Sequence, residues 1–329
     1  MDFTSLTGEG VKIAIIDSGL SPDASDLWYK KAGGVSISAA NRDIRYGTAI
    51  ADSFGHGTAC AGIISHIAPK ALLFPVKIFI NEPKASARVL LEAIQWCIEQ
   101  QMQVVNLSLG TISESSRELL EGACEQAAKN GVLLVAALNS QTLSYPAQFK
   151  TVIPVAGGMM LHRYSYGFCP PRLFLGRGEP QRVRWLGGGR IFMGGSSLAA
   201  AQISAISALL IEKFDITCLD DICKALINHK SECGATCFRI PNSQNKGFAG
   251  KPNHDIIKRV SEIIKRFGIN YNEGEALFNQ LNPVTAARLL DAIELEFAIE
   301  IDDWSLSLKT LESVDSLALY IEEGLAGVT

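Results

Sequence analysis

The chain has 329 residues, 47% of them hydrophobic, with a formal net charge of −4. That length buries a full core and points to more than one domain, which excludes disordered and small disulfide-framework classes. No apolar run approaches the roughly 18 residues of a membrane span, and neither a membrane nor a nucleic-acid partner is expected.

In chain order, the first apolar run, "VKIAIID" (11–17), ends in Asp17. A helical pattern at 56–67 follows, opening "HGTACAGI" at His56. Further short runs at 72–79, 104–110, 131–138 and 151–157 alternate with helical patterns at 84–101 and 114–130. Strands apolar on both faces belong in a covered parallel sheet, so this order predicts a doubly wound, mostly parallel α/β domain, whose ligands bind beyond the carboxyl ends of the strands. Next, "MGGSSLAAAQISAISALL" (193–210) predicts a helix with Ser196 and Ser197 at its start, where unpaired N–H groups and the dipole favour developing negative charge.

Residues 237–253 carry Pro, Gly and polar side chains without periodicity and read as a linker. Beyond it, 254–268, 283–299 and 313–325 have helical spacing, which predicts a small all-helical bundle. Residues 251–329 hold 7 basic against 14 acidic side chains, so the negative charge lies in the tail. The expected domains are 1–236, a linker at 237–253, and 254–329.

The 8 cysteines lack the density of a disulfide scaffold and read as free thiols of a reducing compartment, so a cytoplasmic location is expected. Cys218, Cys223, His229, Cys233 and Cys237 form the only metal-like grouping. It lacks the close CxxC pairs of structural zinc, and no metal or cofactor is expected. Arginines 163, 172, 177, 182, 184 and 190 surround a single acid, Glu179. They read either as a solvated loop or as a surface for an acidic peptide or the chain's own acidic tail.

Asp17 at a strand end, His56 between two glycines at a helix start and Ser197 at another helix start form an Asp, His, Ser series. The segments "AIIDSGL", "GHGTACAGI" and "GGSSLAAAQISA" resemble, in order, the three signature segments of subtilisin-like serine proteases, the subtilases, and the likeness covers about 8–232. It implies a subtilisin-like fold, with Asp17, His56 and Ser197 as the triad. His56 would take the Ser197 proton and pass it to the leaving amine, while Asp17 fixes the imidazole tautomer. The likeness further implies Asn139 and the Ser197 N–H as oxyanion donors, and Ser108, Leu109 and Gly110 in "VVNLSLG" as substrate-binding residues. Two departures stand out: Leu138 where the family usually has Gly, and Ala201 where it usually has Pro. No propeptide is seen before Asp17, and the loop forming a calcium site in secreted relatives is too short here. Both features imply a compact intracellular enzyme.

The tail resembles an acyl or peptidyl carrier protein over about 254–325, except that Pro283 stands where carriers have the pantetheine-bearing serine. Ser316, in "DSL", lies too near the end of the chain to take that role. A docking module is therefore expected, with Asp291, Glu294 and Glu296 facing a basic surface of a biosynthetic partner. Together these readings imply an intracellular serine endopeptidase that cuts a peptide or precursor peptide in natural-product biosynthesis. The alternatives are a peptide macrocyclase or ligase, and an inactive peptide-binding scaffold.

Overall fold

A computed structural model describes residues 2–40, 43–138, 144–160, 162–231, 252–269, 271–272, 275–303, 306 and 310–326. The apolar runs of the sequence become the middle of a sheet. Strands β1 (Lys12–Asp17), β2 (Val35–Ala40), β3 (Asp43–Gly47), β4 (Leu72–Lys77), β5 (Val104–Leu107), β6 (Leu133–Ala137), β7 (Val152–Gly158), β8 (Gly167–Cys169) and β9 (Leu173–Arg177) assemble in the order β3-β2-β4-β1-β5-β6-β7-β9-β8. Pairing is parallel except at the two ends, β2 with β3 and β8 with β9.

Helices cover both faces, which is why the central strands are apolar at most positions, with Lys12, Asp17, Lys77 and Asn106 as exceptions. They are α1 (Ser25–Trp28), α2 (His56–Ile67), α3 (Ala87–Glu99), α4 (Arg117–Lys129), α5 (Ser196–Phe214) and α6 (Leu219–His229). Ala14 and Ile16 of β1 join one core cluster with Val89, Ile94 and Leu120 from α3 and α4. Their neighbours Ile13 and Ile15 point to the opposite face and are equally buried. α5 is 19 residues long and apolar enough to cross a membrane by length and composition, yet every residue from Leu198 to Ile211 is buried within the fold.

The chain reverses its winding at β1, with β4 on one side and β5 on the other. In open α/β sheets the crevice beyond the strand ends at such a point is the usual ligand site. Asp17 closes β1 there, and Ser108 to Gly110 follow β5.

Two compact units emerge. The first comprises 1–179, 184–189 and 194–238; the second comprises 180–183, 190–193 and 239–329. The arginine-rich stretch read as a loop thus forms strands: β8, β9 and a separate hairpin of β10 (Gln181–Arg184) and β11 (Arg190–Met193). Most of that hairpin belongs to the second unit, although the sequence reading assigned all of 1–236 to the first. The expected linker at 237–253 lies outside the described residues except for 252 and 253.

In the second unit α7 (His254–Arg266), α8 (Pro283–Phe297) and α9 (Val314–Ala326) share a core of Val260, Leu289, Ile293 and Leu317. Phe192 of β11 enters it edge-on to Phe278, with ring centroids 5.5 Å apart. Pro283 takes the first position of α8, where a missing N–H costs nothing, and the Asn282 side chain accepts from Thr285 N–H.

Candidate active site

Asp17 is fully buried at the end of β1. One carboxylate oxygen accepts the Ser18 N–H at 2.7 Å, and the other lies 2.7 Å from His56 Nδ1. His56 opens α2, and its flanking glycines are used as the sequence implied. Gly55 caps the helix at φ 90°, a conformation costly for other residues. A Cβ on Gly57 would sit 2.3 Å from the Gly19 carbonyl oxygen, so only glycine lets α2 approach the β1 turn this closely.

Burial pushes the His56 imidazole towards the neutral form, but the charge and hydrogen bond of Asp17, with the charge of Asp52, outweigh it and hold its pKa above the usual value. Asp52, four residues before His56, was not singled out from the sequence. Its carboxylate accepts from Phe54 N–H, Gly55 N–H, Thr58 N–H and the Thr58 hydroxyl at 2.7–3.0 Å. Burial raises its pKa, yet these donors prevail and hold it below the ordinary carboxylate value. The signal that finds it is an acidic residue just ahead of an apolar helical pattern, as in a helix cap.

Ser197 lies in the first turn of α5, after Gly195 at φ 126°. Its hydroxyl donates to the Ser108 carbonyl oxygen at 3.3 Å, while the Ser108 hydroxyl donates to the Ser197 carbonyl oxygen at 3.0 Å. Among the described residues Ser197 makes no hydrogen bond with His56. A change of χ1 rotamer redirects such a hydroxyl, and catalytic contacts of free enzymes often tighten only with substrate bound. Helix α2 packs against α5, and Ser108 touches both, accepting from the Cys60 thiol one turn beyond His56 at 3.4 Å. Ser196 takes a separate place, accepting the Gly157 N–H at 3.3 Å.

Leu109 and Gly110 line two adjoining cavities. One, of about 320 Å³, is bounded by Ser108, Ile112, Leu138, Ser144 and Ser197. The other, of about 530 Å³, is bounded by Phe54, His56, Phe79 and Leu90. The Ser108 side chain itself is turned inward, held by Asn106 at 2.9 Å. Asn139 lies outside the described residues.

Carboxylate, imidazole and thiol atoms of Asp17, His56 and Cys60 lie within 4.8 Å of one another. This set is poorly suited to a cation, since Asp17 and His56 are spent on each other. Burial also pushes the Cys60 thiol well above its usual pKa, away from the thiolate that binds metal. Of the cysteine-rich grouping, Cys218 is exposed and Cys223 half-buried, while Cys233 and Cys237 lie outside the described residues.

The acids assigned to docking are engaged within the second unit. The Arg182 side chain is fully buried among Asp291 at 3.2 Å, Glu294 at 2.9 Å and Asp303, and also donates to the Ile301 carbonyl oxygen. Arg190 lies 3.5 Å from Glu294, and Glu296 pairs with Arg259 at 3.0 Å.

The sequence model of the subtilase family matches residues 8–160. Minor extracellular protease Epr of Bacillus subtilis (strain 168) is 39% identical over 164 residues, 46% of this chain, which spans only 24% of Epr. Subtilisin BL of Lederbergia lenta is 30% identical over 222 residues, 63% of this chain and 78% of its own. The crystal structure of a cold adapted subtilisin-like serine proteinase superposes with a TM-score of 0.56 at 20% identity, covering 69% of this chain and 86% of that one. The fold is therefore subtilisin-like. With most of Subtilisin BL spanned at this identity, and with Asp17, His56 and Ser197 carried on the same elements that bear the matching segments, the chain belongs to the subtilase family of serine proteases.

Proposed function

We propose that the chain is a serine endopeptidase working through an acyl-enzyme on Ser197, a reading carried by the hydrogen-bonded pair of buried Asp17 and cavity-lining His56. The Ser197 oxygen attacks the scissile carbonyl and its proton passes to His56 Nε2. Collapse of the intermediate breaks the C–N bond, and the amine leaves with that proton. Water then repeats the sequence, releasing the acid and restoring the hydroxyl. Asp17 keeps the proton on Nδ1, so that Nε2 is the base. The negative oxygen is met by the first-turn N–H groups of α5 and, on the family likeness, by Asn139.

An extended peptide is the substrate class. Among the described residues the backbones of Leu109 and Gly110 take no backbone hydrogen bond, leaving a short edge for strand addition beside both cavities. The finer reading, a precursor peptide of natural-product biosynthesis recruited by the helical unit, is supported by the carrier-like pattern of that unit. Its recruiting face lies away from Asp291 and Glu294, which Arg182 occupies.

A fluorophosphonate tests the chemistry. One adduct per chain, mapped to Ser197 and lost in His56→Ala and Ser197→Ala, is expected. A folded wild type that takes no label overturns the reading and leaves a peptide-binding scaffold.

A further inference from the structure

Ser197 lies in the first turn of α5 and Ser204 two turns later, so both face one side of the helix, the side that meets β5. Ser204 is fully buried, and its hydroxyl donates to Asn106 Oδ1 at 3.1 Å. Asn106 Nδ2 donates to the Ser108 hydroxyl oxygen at 2.9 Å, and that hydroxyl donates to the Ser197 carbonyl oxygen at 3.0 Å. The bonds thus leave α5, cross to β5 and return to α5 two turns earlier. The Cys60 thiol of α2 donates to the same Ser108 oxygen at 3.4 Å, which fills its capacity of one donated and two accepted bonds.

The surroundings do not call for polar side chains. Asn106 pairs across the sheet with Ile15 on one side and Val135 on the other, both buried, and Ser204 lies between buried Ile203 and Ala205. A buried amide or hydroxyl costs free energy unless it is bonded, and a bonded set returns little beyond what apolar residues of the same shape would give. What it does give is direction, because apolar surfaces tolerate sliding whereas groups each aimed at one partner admit a single register. The register fixed here is that of α5 on β5. At its end the Ser108 carbonyl oxygen accepts the Ser197 hydroxyl at 3.3 Å, and Leu109 and Gly110 continue as the edge proposed for substrate. Ser207, equally buried and nearly one turn beyond Ser204, donates instead within its own helix, to the Ile203 carbonyl oxygen at 2.8 Å.

We propose that Asn106 and Ser204 are positioning residues for Ser197: acting through Ser108, they lock the first turn of α5, with its N–H groups and its nucleophile, onto the end of β5. This rests on the reading of Ser197 as nucleophile. Every member of the brace lies within the first unit.

The test uses the full chain, the fluorophosphonate as probe and Ser207→Ala as control, separating the maximal labelling rate from the half-saturating concentration. Ser204→Ala is expected to lower the maximal rate by about ten-fold, since small misplacements at a reacting centre are costly, with the half-saturating concentration within about two-fold of wild type. Ser207→Ala removes an equally buried hydroxyl from the same helix and should label at the wild-type rate. Asn106→Leu/Ser204→Ala should regain most of the melting temperature lost in Ser204→Ala, because no amide is left unmet and Ser108 keeps Cys60 and Ser197 as partners. It should nonetheless label no faster than Ser204→Ala, because both residues act through one brace. An unchanged maximal rate in Ser204→Ala, an equal loss in Ser207→Ala, or a rate that recovers with the melting temperature overturns the proposal. Hydrogen–deuterium exchange at the first turn of α5 needs no turnover, and it should be faster in Ser204→Ala than in Ser207→Ala. Should the wild type take no label, the nucleophile reading fails, while equal exchange in these two variants overturns the positioning claim by itself.

Discussion

His56 Nδ1 sits 2.7 Å from Asp17 Oδ2, and that carboxylate has no access to solvent. A buried anion aimed at one ring nitrogen fixes the tautomer before substrate arrives. In the proposed reaction it also stabilises the imidazolium formed when His56 takes the Ser197 proton.

The activity should therefore fall as pH drops through a value above the usual imidazole range of about 6.5, because only neutral His56 acts as base. The charged groups facing the ring are Asp17 from β1 and Asp52 from the turn before α2, and Cys60 adds a neutral thiol. Asp17→Asn should move this acid limb to lower pH and reduce kcat by about four orders of magnitude, the loss known for this triad in serine proteases. A pH–rate profile with an unmoved limb would refute the assignment.

Asp52→Asn should destabilise the protein by about 1–2 kcal/mol, since a cap carboxylate with four donors is replaced by an amide that meets them poorly. The folded pKa of Asp52 is depressed, so its contribution is present above the unfolded carboxylate value of about 4 and is lost as pH falls through the folded value. Denaturant midpoints of wild type and variant should therefore converge in acid. A gap that persists there would place the role of Asp52 elsewhere.

Leu138 stands in the wall of the smaller cavity beside Ser197. Leu138→Gly should enlarge it and raise kcat/KM for peptides presenting an aromatic side chain there, relative to alanine, by roughly ten-fold. Profiling a peptide library by mass spectrometry with both proteins checks this. Identical profiles would remove Leu138 from substrate selection.

Gly57→Ala should cost about 2 kcal/mol, because the added methyl meets the Gly19 carbonyl oxygen at 2.3 Å and α2 has to move away from β1. Since that helix carries His56, kcat should fall with it. A lowered Tm at full kcat would show that the displacement is absorbed away from the site.

The centre of the sheet was legible because β1, β4, β5, β6 and β7 are covered on both faces, which favours nearly continuous apolar runs. β2 and β3 lie at the sheet end and are partly exposed, so "VSISAA" and "DIRYG" gave no continuous run. The hairpin escaped for another reason. Arg182 reads as solvated unless its three acids are known to converge on it, and these lie 109 to 121 residues away. The pairing of Asp17 with His56 could be anticipated because each stands at a strand end or helix start within a matching segment, whereas the hydrogen bond of Ser197 to the Ser108 carbonyl oxygen could not. The inward turn of Ser108 and the capping role of Asp52 depend on contacts that spacing does not encode.

The interleaving of the two units also shapes how the protein is made. Arg182 leaves the ribosome more than a hundred residues ahead of Asp291, Glu294 and Asp303, so its cation is synthesised long before the carboxylates that bury it. The ion pairs of Arg182 close only once residues 291–303 have been translated.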